Sequence, residues 1–427
     1  MARIVLSTIG TRGDLNPFIA LGLGLRARGH DTVFAVEQVF SSALGAEGFA
    51  VHTLPGDVIS ALAPHVKRAT GGLTPVPSIR VIVDRWLAPT LRGKVEELRR
   101  ACEGADLLVA RALHLAAPIV AELTGIPWVY ITMTPLTVPS DDFNPQLLPT
   151  HWLGRMPRLA NRLQWAAIAA EGRRLADDRV NKVRSELGLA VGRNLLGVGN
   201  HSCALTAVVA SPAFMPPPRD WPPYARMTGY CFWDTPDGWQ APRELSDFLA
   251  GSAPIVAMSF GSMAPYVGDA LAHLYLSSLS AVKAVGARAL VIGPGAGSLP
   301  ANLPSDVLAL PFVPFSRVYP FCSAVIHHGG PYTVAEALRA GVPSMVVPWG
   351  IDQFFTASQV HRLGAGRWIH HRSFTPRAAE RALSDLLRNE RYRDAARSVA
   401  AKLAQEDGVA TLCEAIDATL AEEAAAS

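Results

Sequence analysis

The chain has 427 residues, 49% of them hydrophobic and 18% charged, with a formal net charge of +3. That length exceeds one ordinary hydrophobic core, so two domains are expected, and the apolar content excludes a disordered chain. Near-neutral charge without a long Lys/Arg run argues against nucleic acid, because neutralising many phosphates takes a concentrated basic surface. The five cysteines (Cys102, Cys203, Cys231, Cys322 and Cys413) are scattered and never form a CxxC pair. They read as reduced thiols, which favours the cytoplasm and argues against a structural zinc site. The opening "MARIVLSTIGTRGDL" has an apolar run too short for a signal peptide. No stretch reaches the ~20 apolar residues of a membrane span, which leaves peripheral attachment open.

In chain order, "RIVLSTI" is a buried strand by its β-branched content and Leu15–Arg28 reads as a helix. "DTVFAVE", "DLLVAR" and "PWVYITM" are further strands separated by helix-length stretches. From Ser211 to Pro242 the alternation gives way to proline and scattered aromatics, which reads as an interdomain connection. It then restarts with "PIVAMSF", "ARALVIG", "DVLALPFV", "SAVIHH" and "PSMVVPW", and from Thr375 the pattern is helical, with frayed final residues. Strands alternating with helices imply parallel sheets covered on both faces. The expected organisation is an α/β first domain over 1–210, the connection over 211–242, a second domain over 243–406, and a last helix over 407–427 packing back on the first domain. Ligands of doubly wound sheets bind beyond the carboxyl ends of strands, here in the cleft between the halves.

Three strand ends carry candidate chemistry. "SAVIHH" places His327 and His328 at a strand terminus; Gly329-Gly330 allow close backbone approach, Pro331 suits a first helical turn, and Thr333 adds a hydroxyl. Helix-start amides and the dipole favour an anion such as a diphosphate, to which His327 adds a donor, charged or neutral. A tight strand-to-helix turn with a buried histidine is the plainer alternative. The next strand delivers Trp349, Asp352 and Gln353, and an Asp-Gln pair can bracket adjacent sugar hydroxyls. Asp352 could equally cap the helix that starts at Gln353. Gly10-Thr11-Arg12-Gly13-Asp14 follows the first strand, where Asp14 could serve as a general base or as the N-cap of the Leu15 helix. Arg12 is placed either to offset its charge or to face solvent. Glu37 ends the second strand where a dinucleotide enzyme would hold ribose, but Gly10-x-x-Gly13 is not GxGxxG. Asp141-Asp142 reads as a turn and His114 as a core histidine near a strand end.

"HHGG…T…E…RAGVPSMVVPWGIDQ" resembles the C-terminal signature of family 1 nucleotide-sugar glycosyltransferases of the GT-B superfamily. "GTRGDLNPFIALGLGLRARGHDTVF", "VAMSFGSM" and "PFVPFSRVYPFCSAVIHHGG" are similar to further segments of that family in the same order. The connecting stretch is similar to that of rhamnolipid-type rhamnosyltransferases, alongside natural-product glycosyltransferases. The resemblance implies a GT-B fold: two doubly wound Rossmann-like domains facing across a cleft, the first binding acceptor and the second donor. It implies inverting, metal-independent transfer from a UDP- or dTDP-sugar, with no other cofactor. Asp14 is the base by this resemblance, while Ser262, His327, Gly329, Gly330 and Thr333 meet the diphosphate. Trp349, Asp352 and Gln353 meet the hexose, and Phe312 and Val313 meet the base. The loop departs from the family's HHGG-Ala-Gly-Thr: Pro331 removes an amide donor, and Tyr332 adds a phenol that could replace it or restrict donor choice. Stretches 56–92 and 134–170, rich in Leu, Trp and Ile, suggest an apolar-lined acceptor site for a lipid, polyketide or terpenoid, or else amphipathic helices burying core faces. Two rivals share the scaffold: a non-transferring, epimerase-like nucleotide-sugar enzyme and a non-catalytic accessory protein. The sequence is silent on oligomeric state.

Overall fold

The structure, a computed structural model, describes residues 1–65, 76–145, 156–234, 239–263, 269–294, 299 and 302–426. The chain divides into two compact units, Met1–Trp233 with Asp407–Ser427, and Asp234–Glu406.

The first unit is built on a seven-stranded sheet ordered β3-β2-β1-β4-β5-β6-β7. Its strands are β1 (Arg3–Thr8), β2 (Asp31–Glu37), β3 (Ala50–Leu54), β4 (Leu107–Arg111), β5 (Trp128–Thr132), β6 (Leu205–Val208) and β7 (Ala225–Met227), and every pairing is parallel. Period-two side chains feed a core on each face. Ile4, Leu6, Phe34, Val36 and Val109 pack with Leu15, Phe18 and Ile19 of the helix Arg12–Ala27. Val5, Ala35, Leu108 and Ala110 pack with Leu91, Val95 and Leu98 of the helix Ala88–Ala101. This two-sided burial is why the strands read as continuous apolar runs rather than alternating ones. The last helix, Gly408–Ala426, lies against Arg12–Ala27, where Gly24 faces Val409 and Cys413 with no space for a side chain. Asp417 of this helix accepts from Arg28 Nε and pairs with His30 Nε2, both at 2.8 Å.

The Pro-rich stretch expected to connect the domains from residue 211 instead belongs to the first unit as far as Trp233. It supplies β7, and Trp221, Met227 and Tyr230 pack on Val138, Val208 and Ala210. Its aromatics cluster with one another without periodicity: the Tyr230 ring lies 6.3 Å from that of Phe214 and 5.7 Å from that of Phe232. Residues 235–238 of the same stretch lie outside the described residues.

The second unit holds a six-stranded parallel sheet ordered β10-β9-β8-β11-β12-β13. Its strands are β8 (Ile255–Ser259), β9 (Arg288–Ile292), β10 (Val307–Leu310), β11 (Ala324–His327), β12 (Ser344–Val346) and β13 (Gly366–Trp368). In each unit the strand order reverses at the centre, between β1 and β4 and between β8 and β11. Such switch points open a crevice at the carboxyl ends of the strands. Asp14 follows β1 and Arg111 ends β4; Ser262 follows β8 and His327 ends β11.

Glu37, which a dinucleotide enzyme would turn to ribose, is fully buried. Its Oε1 accepts from Lys94 Nζ at 2.8 Å and Trp86 Nε1 at 2.7 Å, and its Oε2 accepts from the Val58 amide at 3.3 Å. Burial lowers the Lys94 pKa and the Glu37 charge opposes that shift. A carboxylate so occupied cannot hold a ribose. Lys94→Ala leaves Glu37 buried without its countercharge and is expected to destabilise the fold by about 3–5 kcal/mol, read from urea unfolding midpoints. The double variant Glu37→Gln/Lys94→Met should recover most of that loss.

Candidate active site

In the first unit the turn after β1 is shaped around Asp14. Gly10 has φ +116°, and a Cβ there would collide with Asp14 Oδ2. Asp14 does not occupy the N-cap: Thr11 does, and Asp14 is the third helical residue of a capping box. Its Oδ2 accepts from the Thr11 amide at 2.8 Å and the Thr11 hydroxyl at 3.2 Å. Its Oδ1 accepts from Arg111 Nε at 2.8 Å and lies 2.6 Å from Arg111 Nη2. Arg111, not Arg12, therefore balances the carboxylate. Arg12 donates to Asn16 Oδ1 at 2.9 Å, with its guanidinium 5.1 Å from the Trp233 ring centre. Both oxygens of the expected base are engaged. His114 is buried, with Nε2 2.9 Å from Ser7 Oγ, which itself donates to Ala35 O. Burial pushes its pKa down to about 3, so it is a neutral core side chain.

In the second unit His327 ends β11 fully buried. The Gly329 amide donates to its Nδ1 at 3.1 Å. A neutral ring that accepts at Nδ1 carries its proton on Nε2. That nitrogen is buried without a hydrogen-bond partner among the described residues. Burial, with His328 alongside, pushes the His327 pKa down to about 3. His327 is therefore a neutral donor at pH 7 rather than the cation that the sequence left open. Positive potential at this turn must come from the start of the helix Pro331–Arg339, whose first turn holds Thr333. His328 fills the space between loops: a Cβ on Gly261 would come within 2.9 Å of its ring, and one on Gly330 within 2.6 Å of its Nε2. Ser262 follows Gly261 and so sits beside the same turn.

Beyond β12, Gln353 Oε1 accepts from the amides of Trp349 at 2.9 Å and Gly350 at 3.0 Å. Its carbonyl thus braces the loop, leaving the amide nitrogen as the donor it can offer a ligand. Asp352 stands at the N-cap of the helix Gln353–Arg362, yet its side chain accepts no cap hydrogen bond. The cap alternative fails at that point. Trp349 Nε1 is buried with no hydrogen-bond partner among the described residues, and its ring stacks 6.3 Å from that of His328. Phe312 is 53% exposed while Val313 is buried in the core of the unit. Only backbone groups at Val313, and the Phe312 ring, are therefore placed to meet a ligand.

Tyr332 does not point its phenol at the turn. It hydrogen-bonds Glu336, one helical turn on. Glu336 is buried, with Oε2 4.0 Å from Arg339 Nη1, and Arg339 grips Asp234 with two bonds of 2.8 and 2.7 Å. Sequence reading gave Glu336 no role, although it stands in the quoted signature, and it missed Arg111, because an Arg ending a strand carries no motif. Asp141-Asp142 forms the expected turn, held by Asp220 and Arg162. Of the acceptor stretches, 66–75 and 146–155 lie outside the described residues. Elsewhere Val83, Trp86, Leu87 and Leu91 turn into the core. The helix Arg158–Gly172 buries Trp165 but leaves Leu159 and Leu163 64% and 62% exposed.

Residues 4–139 match the glycosyltransferase family 28 N-terminal domain, and 277–416 match the C-terminal domain of the erythromycin biosynthesis protein CIII-like family. The chain is 32% identical over 434 residues to O-mycaminosyltylonolide 6-deoxyallosyltransferase of Streptomyces fradiae, covering 97% of both. It is 28% identical to sterol 3-beta-glucosyltransferase of Debaryomyces hansenii, where 96% of this chain covers 26% of the relative's length. Among solved structures, the kitacinnamycin glycosyltransferase superposes with TM-score 0.71 at 20% identity, covering 98% of both chains. Spinosyn rhamnosyltransferase SpnG complexed with thymidine diphosphate superposes with TM-score 0.69 at 18% identity, over 97% of this chain and all of that one. The two parallel-sheet units and these neighbours define a GT-B fold. The chain belongs to the family 1 nucleotide-sugar glycosyltransferases, and it is a glycosyltransferase.

Burial raises the Glu336 pKa to about 7, against the opposing pull of Arg339 and the Tyr332 hydrogen bond. The native state thus keeps this proton to higher pH than the unfolded chain does. The stability it contributes is complete below the ordinary carboxylate pKa of about 4.5 and is lost as pH rises through 7. Glu336→Gln should therefore melt higher than the parent at pH 8 and together with it at pH 4.5, as measured by thermal unfolding across that range.

Proposed function

We propose that the protein catalyses inverting, metal-independent transfer of a hexose or deoxyhexose from a dTDP- or UDP-sugar to a hydroxyl of an apolar small molecule. The observation that carries this reading is the buried Nε2–H of His327 beside a helix start, which has no hydrogen-bond partner among the described residues. A buried donor of that kind is costly unless an acceptor arrives, and a diphosphate oxygen is such an acceptor. The neighbouring strand end adds Asp352 and the Gln353 amide for sugar hydroxyls. Thymidine diphosphate in the SpnG complex supports dTDP as the nucleotide. The macrolide and sterol acceptors in the names of the relatives support an apolar acceptor, as do the exposed Leu159 and Leu163 in one of the expected acceptor stretches.

In the reaction the acceptor oxygen bonds to the anomeric carbon as the bond to the diphosphate oxygen breaks. The acceptor proton passes to Asp14, and charge developing on the diphosphate is met by the helix start and His327. Arg111 orients Asp14 by holding Oδ1. The engaged carboxylate favours one second reading, in which Asp14 only secures the start of its helix. Asp14→Asn separates the two: a base should lose about 10²–10⁴-fold in kcat, whereas a helix brace should lose melting temperature and keep kcat.

Donor binding is tested by thermal shift with dTDP, UDP and NADH. A nucleoside diphosphate that binds only the native state raises the melting temperature, and the shift should vanish in His327→Ala. A shift with NADH and none with either nucleotide would overturn the reading.

A further inference from the structure

The carboxylate of Asp14 leaves little room for an incoming proton. Each carboxylate oxygen offers two lone pairs. Oδ2 uses both on Thr11, accepting from its amide at 2.8 Å and from its hydroxyl at 3.2 Å. Oδ1 is covered by the guanidinium of Arg111, with Nε at 2.8 Å and Nη2 at 2.6 Å. An acceptor hydroxyl therefore meets one of these four groups before it meets the carboxylate. Three of them cannot pass a proton on, because the Thr11 amide and the guanidinium N–H groups donate and never accept. The fourth can: the Thr11 hydroxyl donates one hydrogen and keeps lone pairs to accept another. It is also within reach of a ligand. Ser7 and Thr8, the hydroxyls that end β1, are fully buried, whereas Thr11 is partly exposed at the helix start.

We propose that Thr11 is a catalytic residue that relays the proton of the acceptor hydroxyl to Asp14. This rests on the reading of Asp14 as the base given above. The acceptor O–H donates to Thr11 Oγ1 while the Thr11 O–H donates to Asp14 Oδ2. As the acceptor oxygen bonds to the anomeric carbon, its proton passes to Thr11 Oγ1 and the proton of Thr11 passes to Oδ2. The bond from the anomeric carbon to the diphosphate oxygen breaks, and its electron pair leaves on the diphosphate. Thr11 ends as a neutral hydroxyl and Asp14 as a carboxylic acid, which then returns the proton to water. Arg111 and the Thr11 amide keep their hold on the carboxylate throughout, so the step needs no rearrangement of the turn.

The test compares Thr11→Ser, Thr11→Asn and Asp14→Asn, with dTDP-glucose and UDP-glucose as donors and a sterol and 4-nitrophenol as acceptors. Asparagine caps a helix as well as threonine does, so Thr11→Asn removes the relay and spares the helix start. With the sterol, Thr11→Asn should lose about 10²-fold in kcat with donor KM within about twofold, and Thr11→Ser should stay within about threefold of the parent. In alkaline buffer 4-nitrophenol has already lost its proton, and with it Thr11→Asn and Asp14→Asn should both stay within about threefold. Sterol transfer kept by Thr11→Asn and lost by Asp14→Asn would overturn the relay and leave Asp14 as a direct base. A loss in Thr11→Asn that is the same for both acceptors, or one that Thr11→Ser shares, would also overturn it. No transfer from either donor to the sterol by the parent would instead overturn the reading of donor and acceptor, and this assignment with it.

Discussion

The second unit depends on the contact of bare backbone at Gly329 with the first turn of the helix Gln353–Arg362. Gly329 has φ +95°, and a Cβ there would lie 2.9 Å from Val346 Cγ1 and 3.1 Å from both Gln353 O and Thr356 Oγ1. The Thr356 hydroxyl donates to the Gly329 carbonyl. The parallel register that sets His327 opposite Val346 brings these loops together, and the missing side chain lets them touch. The turn after β11 and the loop after β12 are consequently one packed body rather than two loops that happen to be near. His328, filling the gap between Gly261 and Gly330, joins the β8 loop to the same body. Close packing of this kind transmits small displacements, because interiors have little free volume to absorb them.

Electrostatically the two units use opposite devices. The crevice of the first holds a charged pair, Asp14 with Arg111, whose geometry is set by a capping box. The second holds neutral imidazoles, His327 and His328, pushed down to about 3 and about 4 by burial. Protonating either would put an uncompensated charge in a dry turn. Histidines with depressed pKa contribute stability that is complete above about 6.5 and is lost as pH falls towards those values. Glu336, on the helix Pro331–Arg339 that starts at this turn, works the other way and loses its contribution as pH rises. The two trends oppose each other, so the region around the turn is most stable just below neutrality, where the imidazoles have lost their protons and Glu336 has lost only part of its own.

Much of the fold was legible residue by residue. Strands buried on both faces need continuous apolar runs, and "RIVLST" and "AVIH" show that requirement directly. HHGG was legible because glycine at positive φ and proline at a helix start are local backbone demands. The Asp-Gln pair was legible as chemistry, but not that the Gln353 carbonyl turns back to brace its own loop. The Pro-rich stretch misled because Trp221, Met227 and Tyr230 pack into gaps defined by β6 and Val138, which no periodicity in the stretch reflects.

By itself, then, the sequence determined what depends on neighbours along the chain: the alternation of strand and helix, the glycine turns, and the residue types gathered at strand ends. Only the tertiary structure decided partnerships. Arg111 meets Asp14 across 97 positions because β4 lies beside β1. Lys94 meets Glu37 across 57 because a crossover helix covers β2, and Glu336 is buried because its helix packs inward. Strand order and helix docking emerge from the summed burial of many side chains. They cannot be read from any one of them, so the pairings that tune the charges of the site appear only once the sheets have formed.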